Sequence, residues 1–208
     1  MSAVNLSLDF NLTGKIQHPE KQTISTGYAA LDIMLPHGGW PVGAITEIFC
    51  PDDRDFALPL VLPALAHLSQ TQRWLTLVSP PNTPSSMQLR RAGVDSSHLL
   101  MIHPHATTNG LWAVEQALRA GTSSAVLSWV NSADYRTMQD LRGAALAGNS
   151  CGLVFRPDWA INQPSANNLR LSLTPMSDQS IYIELLSPHS SDAKSAIFIH
   201  PYKQARIA

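Results

Sequence analysis

Residues 38–57 read Gly-Gly-Trp-Pro-Val-Gly, then Ala-Ile-Thr-Glu-Ile-Phe, then Cys-Pro-Asp-Asp-Arg-Asp-Phe-Ala. The middle block, Ala44–Phe49, is apolar and β-branched and is preceded by glycine and proline, the pattern of a central strand. The block after it is an acidic loop, with Asp52, Asp53 and Asp55 around Arg54. Open α/β sheets hold their ligands outside the carboxyl ends of their strands, so this loop decides what the first strand can meet. A phosphate-binding loop needs two glycines for close backbone approach, a lysine to neutralise the outer oxygens and a hydroxyl for magnesium. Here Cys50 and Asp55 stand at the glycine places, Phe56 at the lysine place and Ala57 at the hydroxyl place. A like-charge pair about 4 Å apart costs about 1 kcal/mol even in water. The loop therefore repels a triphosphate, and if it has a use it is as a protein contact.

Working outward, strand and helix patterns alternate. Phe56–Leu68 is apolar over a helical length; Pro59 suits a first turn, whereas Pro63 should kink the helix or end it. Trp74–Val78 reads as a strand closed by a proline-rich loop, and Ser85 caps a short helix over Ser86–Ala92 that Gly93 stops. Leu99–Ile102 is a brief strand. Asn109 or Thr108 caps a helix over Leu111–Ala120, with Gly121 as its stop. Ala125–Val130 is a central strand, Ala133–Ala147 a helix, and Gly152–Phe155 a strand halted by Pro157. This alternation predicts an α/β fold with a mostly parallel sheet and helices on both faces. Beyond the polar linker 158–167 the period becomes two, in Leu169–Thr174 and Ile181–Leu185, which predicts an antiparallel hairpin with a further strand at Ala196–His200.

The run Thr23-Ile24-Ser25-Thr26-Gly27, the pair Leu31-Asp32 and the pattern Gly38-Gly39-x-Pro41-x-Gly43 before a short apolar strand resemble the approach to the nucleotide site of RecA-type ATPases. The resemblance implies a RecA-like P-loop-type core with a degenerate P-loop. The family's water-activating glutamate would follow Leu77-Val78, where Ser79-Pro80-Pro81-Asn82 stand. Its magnesium-binding aspartate would close the strand Ala125–Val130, where Ser128 or Trp129 stands. The expectation is a protein that is not an enzyme and holds neither cofactor nor metal.

Further segments resemble two bacterial families with an inactivated RecA-like core. These are Arg73-Trp74-Leu75-Thr76-Leu77, the step Ala92-Gly93-Val94, the helix end Ala117-Leu118-Arg119-Ala120-Gly121 and Phe155-Arg156-Pro157. One family is ImuA, the accessory protein of mutagenic translesion synthesis in the SOS response; the other is SulA, the SOS inhibitor of cell division that binds FtsZ. The block at 23–43 and Leu111-Trp112-Ala113-Val114-Glu115-Gln116-Ala117-Leu118-Arg119 favour ImuA. That resemblance implies an adaptor that engages RecA and an inactive Y-family (ImuB-like) polymerase. The alternative is a SulA-type inhibitor that blocks FtsZ polymerisation.

Composition bounds the rest. The 208 residues, 44% hydrophobic, suit one core, divided as an arm at 1–22, a core at 23–186 and a C-terminal end at 187–208. A net charge of −1 lacks the basic excess of a DNA-gripping protein, so any DNA contact is indirect. Two cysteines, no signal-like start and no long apolar run indicate a cytoplasmic protein without a membrane span. His103 and His105 have no third ligand partner at sensible spacing and read as a surface turn. Ser25, Thr26 and Ser79 read as caps and turns, and Trp40, Trp74, Trp112 and Trp129 as core. The candidate protein contacts are Leu6, Leu8, Phe10 and Leu12, which alternate like a docking strand, together with Arg54, Trp159, Tyr202, Lys203 and Arg206.

The loop chemistry predicts that isothermal titration with Mg-ATP gives no binding heat. Micromolar affinity would overturn that reading.

Overall fold

Two adjacent strands set the frame. β3 (Ala44–Cys50) and β7 (Cys151–Pro157) run parallel in register from Ala44 opposite Cys151 to Cys50 opposite Pro157. Both are buried on the two faces, as the interior of a parallel sheet requires. The computed structural model describes residues 22–51, 54–104, 107–167, 169–186 and 195–201. Before β3 come β1 (Thr23–Ile24) and β2 (Trp40–Pro41), an antiparallel pair, with α1 (Ala29–Met34) between them. After it follow α2 (Leu58–Leu68), β4 (Trp74–Val78), α3 (Ser86–Arg91), β5 (Leu99–Ile102), α4 (Thr107–Arg119), β6 (Ser123–Trp129) and α5 (Tyr135–Gly148). Beyond β7 lie β8 (Leu169–Pro175), β9 (Ile181–Leu185) and β10 (Ala196–Ile199).

The large sheet has the order β10-β9-β8-β3-β7-β6-β4-β5. Every pairing from β8 to β5 is parallel, and β9 and β10 add antiparallel at the other end. The fold is thus mixed α/β with a mostly parallel sheet. Alternation along the strands sends Ile48, Leu75, Leu77, Leu127, Leu153 and Phe155 to one layer, under α1, α2 and α3. Ile45, Val78, Val126 and Val154 go to the other, under α4 and α5.

Local chemistry fixes the helix ends. The Ser85 hydroxyl accepts from the Gln88 N–H at 3.1 Å and starts α3. The Asp134 carboxylate accepts from the Thr137 N–H at 2.8 Å and starts α5; this bond lowers the Asp134 pKa. Asn149, in left-handed conformation, ends α5. Arg73 then clasps that end, donating to the carbonyls of Gly148, Asn149 and Ser123. α4 starts at Thr107, so Thr108 and Asn109 lie inside its first turn rather than capping it. β6 starts at Ser123, two residues before the apolar run, because its hydroxyl pairs with Thr76 Oγ1 at 2.9 Å.

Two sequence expectations fail for physical reasons. Pro63 does not end α2, which continues to Leu68. A proline at 63 cannot donate to the carbonyl of Pro59, and the buried Tyr28 hydroxyl donates to that carbonyl instead, at 3.3 Å. Gly27 admits this close packing: at φ +86° it lies against Pro63, whose Cβ would be 2.3 Å from any side chain there. Trp40 and Trp129 are core residues, whereas Trp74 and Trp112 are exposed. Trp112 is on the outer face of α4, because Val114 and Leu118 take the inner one. Trp74 opens β4 near the sheet's edge and packs edge-on against His98, ring centroids 5.5 Å apart.

Tyr28→Phe removes only the donor to Pro59 and leaves a buried carbonyl unpaired. The expected loss is about 1–3 kcal/mol, read as a lower urea midpoint with an unchanged slope. An unchanged midpoint would show that the bond does not carry α2 past Pro63.

Candidate protein-contact site at the carboxyl end of the sheet

A carboxylate inside an apolar central strand needs a partner, because an isolated buried charge is very costly. Glu47 is in this position, fully buried on β3. Arg156, equally buried on β7, donates from Nη1 to Glu47 Oε2 at 2.7 Å. The other Glu47 oxygen accepts from the Ser165 hydroxyl and, at 3.2 Å, from Asn167 Nδ2; Arg170 Nε on β8 is 3.7 Å away. Phe49 shares this face of β3. Its ring carries both guanidinium groups, with the Cζ of Arg170 4.8 Å and that of Arg156 5.8 Å from its centroid. Burial pulls the Arg170 pKa below its ordinary value; Glu47 opposes this and Arg156 adds to it.

The cluster organises the carboxyl end of the sheet. From Nη2, Arg156 also donates to the Ala133 carbonyl and to Gln163 Oε1, which ties the turn after β6 to the segment after β7. Arg170 donates to the carbonyl of Ile161 at 2.7 Å. Residues 158–167, polar in sequence, are thus held as a 3-10 turn (Asp158–Asn162) and a strap over Glu47. Trp159 stands on that turn, 58% exposed. The turn that follows β3, Arg54–Ala57, lies at the same end of the sheet. Cys50 is the buried last residue of β3 rather than part of the loop, and Arg54, Asp55, Phe56 and Ala57 form a 3-10 turn that feeds α2.

The structure therefore brings the turn containing Arg54 and the turn bearing Trp159 to one end of the molecule. Leu6, Leu8, Phe10, Leu12, Tyr202, Lys203 and Arg206, with Asp52, Asp53 and His105, lie outside the described residues. His103 is exposed. Among the described residues no three histidine, cysteine or acidic groups are placed to hold a metal ion, and no helix is long and apolar enough to cross a membrane. Burial pushes the Cys151 thiol up to about 12, so it is not a nucleophile at neutral pH. Glu47 and Arg156 were not singled out from the sequence. The available signal was one charge of each sign inside two otherwise apolar central strands.

Comparison with known proteins gives a consistent result. The family model described as "Cell division inhibitor SulA" matches residues 43–152. The cell division inhibitor SulA of Pectobacterium atrosepticum is 30% identical over 145 residues, which cover 69% of this chain and 77% of that protein. SulA of Serratia marcescens is 30% identical over 120 residues, 58% of this chain and 71% of that protein. The crystal structure of SulA from Pseudomonas aeruginosa matches with a TM-score of 0.47 and 30% identity, over 54% of this chain and 97% of that one. The family model and the relatives from Pectobacterium atrosepticum and Serratia marcescens overturn the first expectation from sequence. The ImuA reading, an adaptor of translesion synthesis that engages RecA and a Y-family polymerase, is withdrawn.

Glu47→Gln leaves Arg156 and Arg170 without their counter-charge. The expected cost is about 3–5 kcal/mol in urea unfolding, and replacing both partners, Glu47→Leu with Arg156→Met, should recover most of it. A Glu47→Gln protein as stable as the parent would remove the cluster from its structural role.

Proposed function

This chain belongs to the SulA family of cell division inhibitors, and we propose that it acts as one: a non-enzymatic SOS-response protein that binds FtsZ and blocks its polymerisation. The observation that carries the reading is the family match from Gly43 to Gly152, which runs through the sheet from β3 to the start of β7. The chemistry of the acidic loop supports an inhibitor that works by contact. No lysine stands at the end of β3 to hold a phosphate, and Asp55, Phe56 and Ala57 replace the groups that would.

The finer reading is a RecA-like core whose nucleotide loop has lost its phosphate chemistry. It is supported by the position of that loop at the carboxyl end of β3, with β7 on one side and β8 on the other. The contact surface we propose is this end of the sheet, with Trp159 as its anchor and the turn containing Arg54 beside it. An exposed tryptophan on a turn that is itself tied down by buried charges is a preorganised contact; aromatic anchors of this kind dominate interface energetics.

The test is GTP-dependent FtsZ polymerisation followed by light scattering and sedimentation. At equimolar ratio the protein should suppress assembly, and Trp159→Ala should weaken inhibition about tenfold or more without lowering the unfolding midpoint. Normal FtsZ assembly at saturating protein would end the inhibitor reading. Full inhibition by Trp159→Ala would move the interface elsewhere.

A further inference from the structure

On the α4 side of the sheet a cleft of about 230 Å³ opens between the carboxyl ends of β4 and β6 and the first turn of α4. Val78, Val114 and Val130 form its apolar wall, and Ser79, Gly110 and Ser128 are its polar or bare positions. Three independent features mark it. Ser128 is only 1% exposed, lines the cleft, and its hydroxyl has no hydrogen-bond partner. A buried hydroxyl without a partner carries an unrelieved desolvation cost, which a partner entering the cleft removes. Ser79 has φ +54°, a left-handed conformation that non-glycine residues seldom adopt and that recurs at ligand sites. Gly110 leaves the mouth open: a Cβ there would sit 3.5 Å from Pro104 Cγ and 3.6 Å from Ser79 Oγ, in ordinary contact, and would occupy the space.

The charge pattern selects the ligand. α4 has 13 residues, so its aligned peptide dipoles and the N–H groups of its first turn favour negative charge at this end. The cleft lining contains no carboxylate that would attract a cation or repel an anion. A volume of about 230 Å³ is also below the roughly 300–1,000 Å³ of sites that enclose whole cofactors or drug-sized molecules. We propose that this cleft binds a small oxyanion, a phosphate or carboxylate group, with the Ser128 hydroxyl and the first turn of α4 as donors. The site is distinct from the Trp159 surface, and its test does not involve FtsZ.

The experiment is a ¹H–¹⁵N NMR titration of the full chain at constant ionic strength, one arm with inorganic phosphate and one with acetate. Saturable shifts confined to the amides around Ser79, Gly110 and Ser128 are expected in at least one arm. Ser128→Ala removes an unpartnered hydroxyl, and Gly110→Ala adds a methyl group with room to fit, so both variants should fold. Each should weaken binding at least tenfold. Saturation by phosphate alone identifies a free or esterified phosphate as the ligand. Saturation by acetate alone identifies a carboxylate, such as an acidic side chain of a protein partner. Saturation by both supports the shared chemistry. Shifts that are non-saturable or spread over the surface in both arms, or unchanged affinity in both variants, would overturn the proposal.

Discussion

The Glu47–Arg156 pair is the constraint on which the carboxyl end of this molecule depends. A parallel sheet buried on both faces has no solvent with which to hydrate a charge, so each partner is tolerable only while the other is in place. Such a pair adds little net stability over apolar packing. It does impose direction: Oε2 faces β7, Oε1 faces Ser165 and Asn167, and the spare guanidinium donors of Arg156 reach the chain on either side. An apolar core would accept several arrangements of the segment 158–167. The ion cluster accepts one.

That arrangement links fold to function through rigidity. The proposed inhibitor works by contact, and contact is strongest when the presenting surface does not have to be ordered on binding. The carboxyl end of a parallel sheet is normally where substrates are held. Here the same end of the sheet bears the turn Arg54–Ala57, an exposed indole and a small cleft.

Much of the fold was legible in the sequence because periodicity reports burial directly. The apolar runs at β3, β4 and β6 and the period of two at β8 and β9 lie where the strands form. Local signals with one meaning, such as the Ser85 cap, also read correctly. The failures share one cause. Pro63 breaks a helix unless something distant satisfies Pro59, and Tyr28 is 31 residues away. Trp74 and Trp112 are apolar by composition but exposed, because edge position and helix face are tertiary properties. Glu47 and Arg156, 109 residues apart, form a site only once β3 and β7 are adjacent. Of the proposed contact surface, Trp159 and Arg54 could be nominated from sequence, whereas the cluster that braces Trp159 could not. The assignment to ImuA also failed, since the family model that matches the chain is that of SulA.

The Tyr28–Pro59 bond has a consequence for where this protein can be divided. The family match begins at Gly43, which invites treating the preceding residues as an appendage. Yet Tyr28, Leu31, Leu35 and Trp40 are in the same hydrophobic cluster as Leu60 and Leu65 of α2, and the Tyr28 hydroxyl completes a helix inside the matched region. From the other side, Leu171, Ile183 and Ile199 join the same cluster from beyond residue 152. The border of the family model therefore cuts through a continuous interior. A fragment trimmed to that border would expose leucine surface on both sides and strand the Pro59 carbonyl in the first turn of α2, so the folding unit of this chain is larger than the part the family model matches.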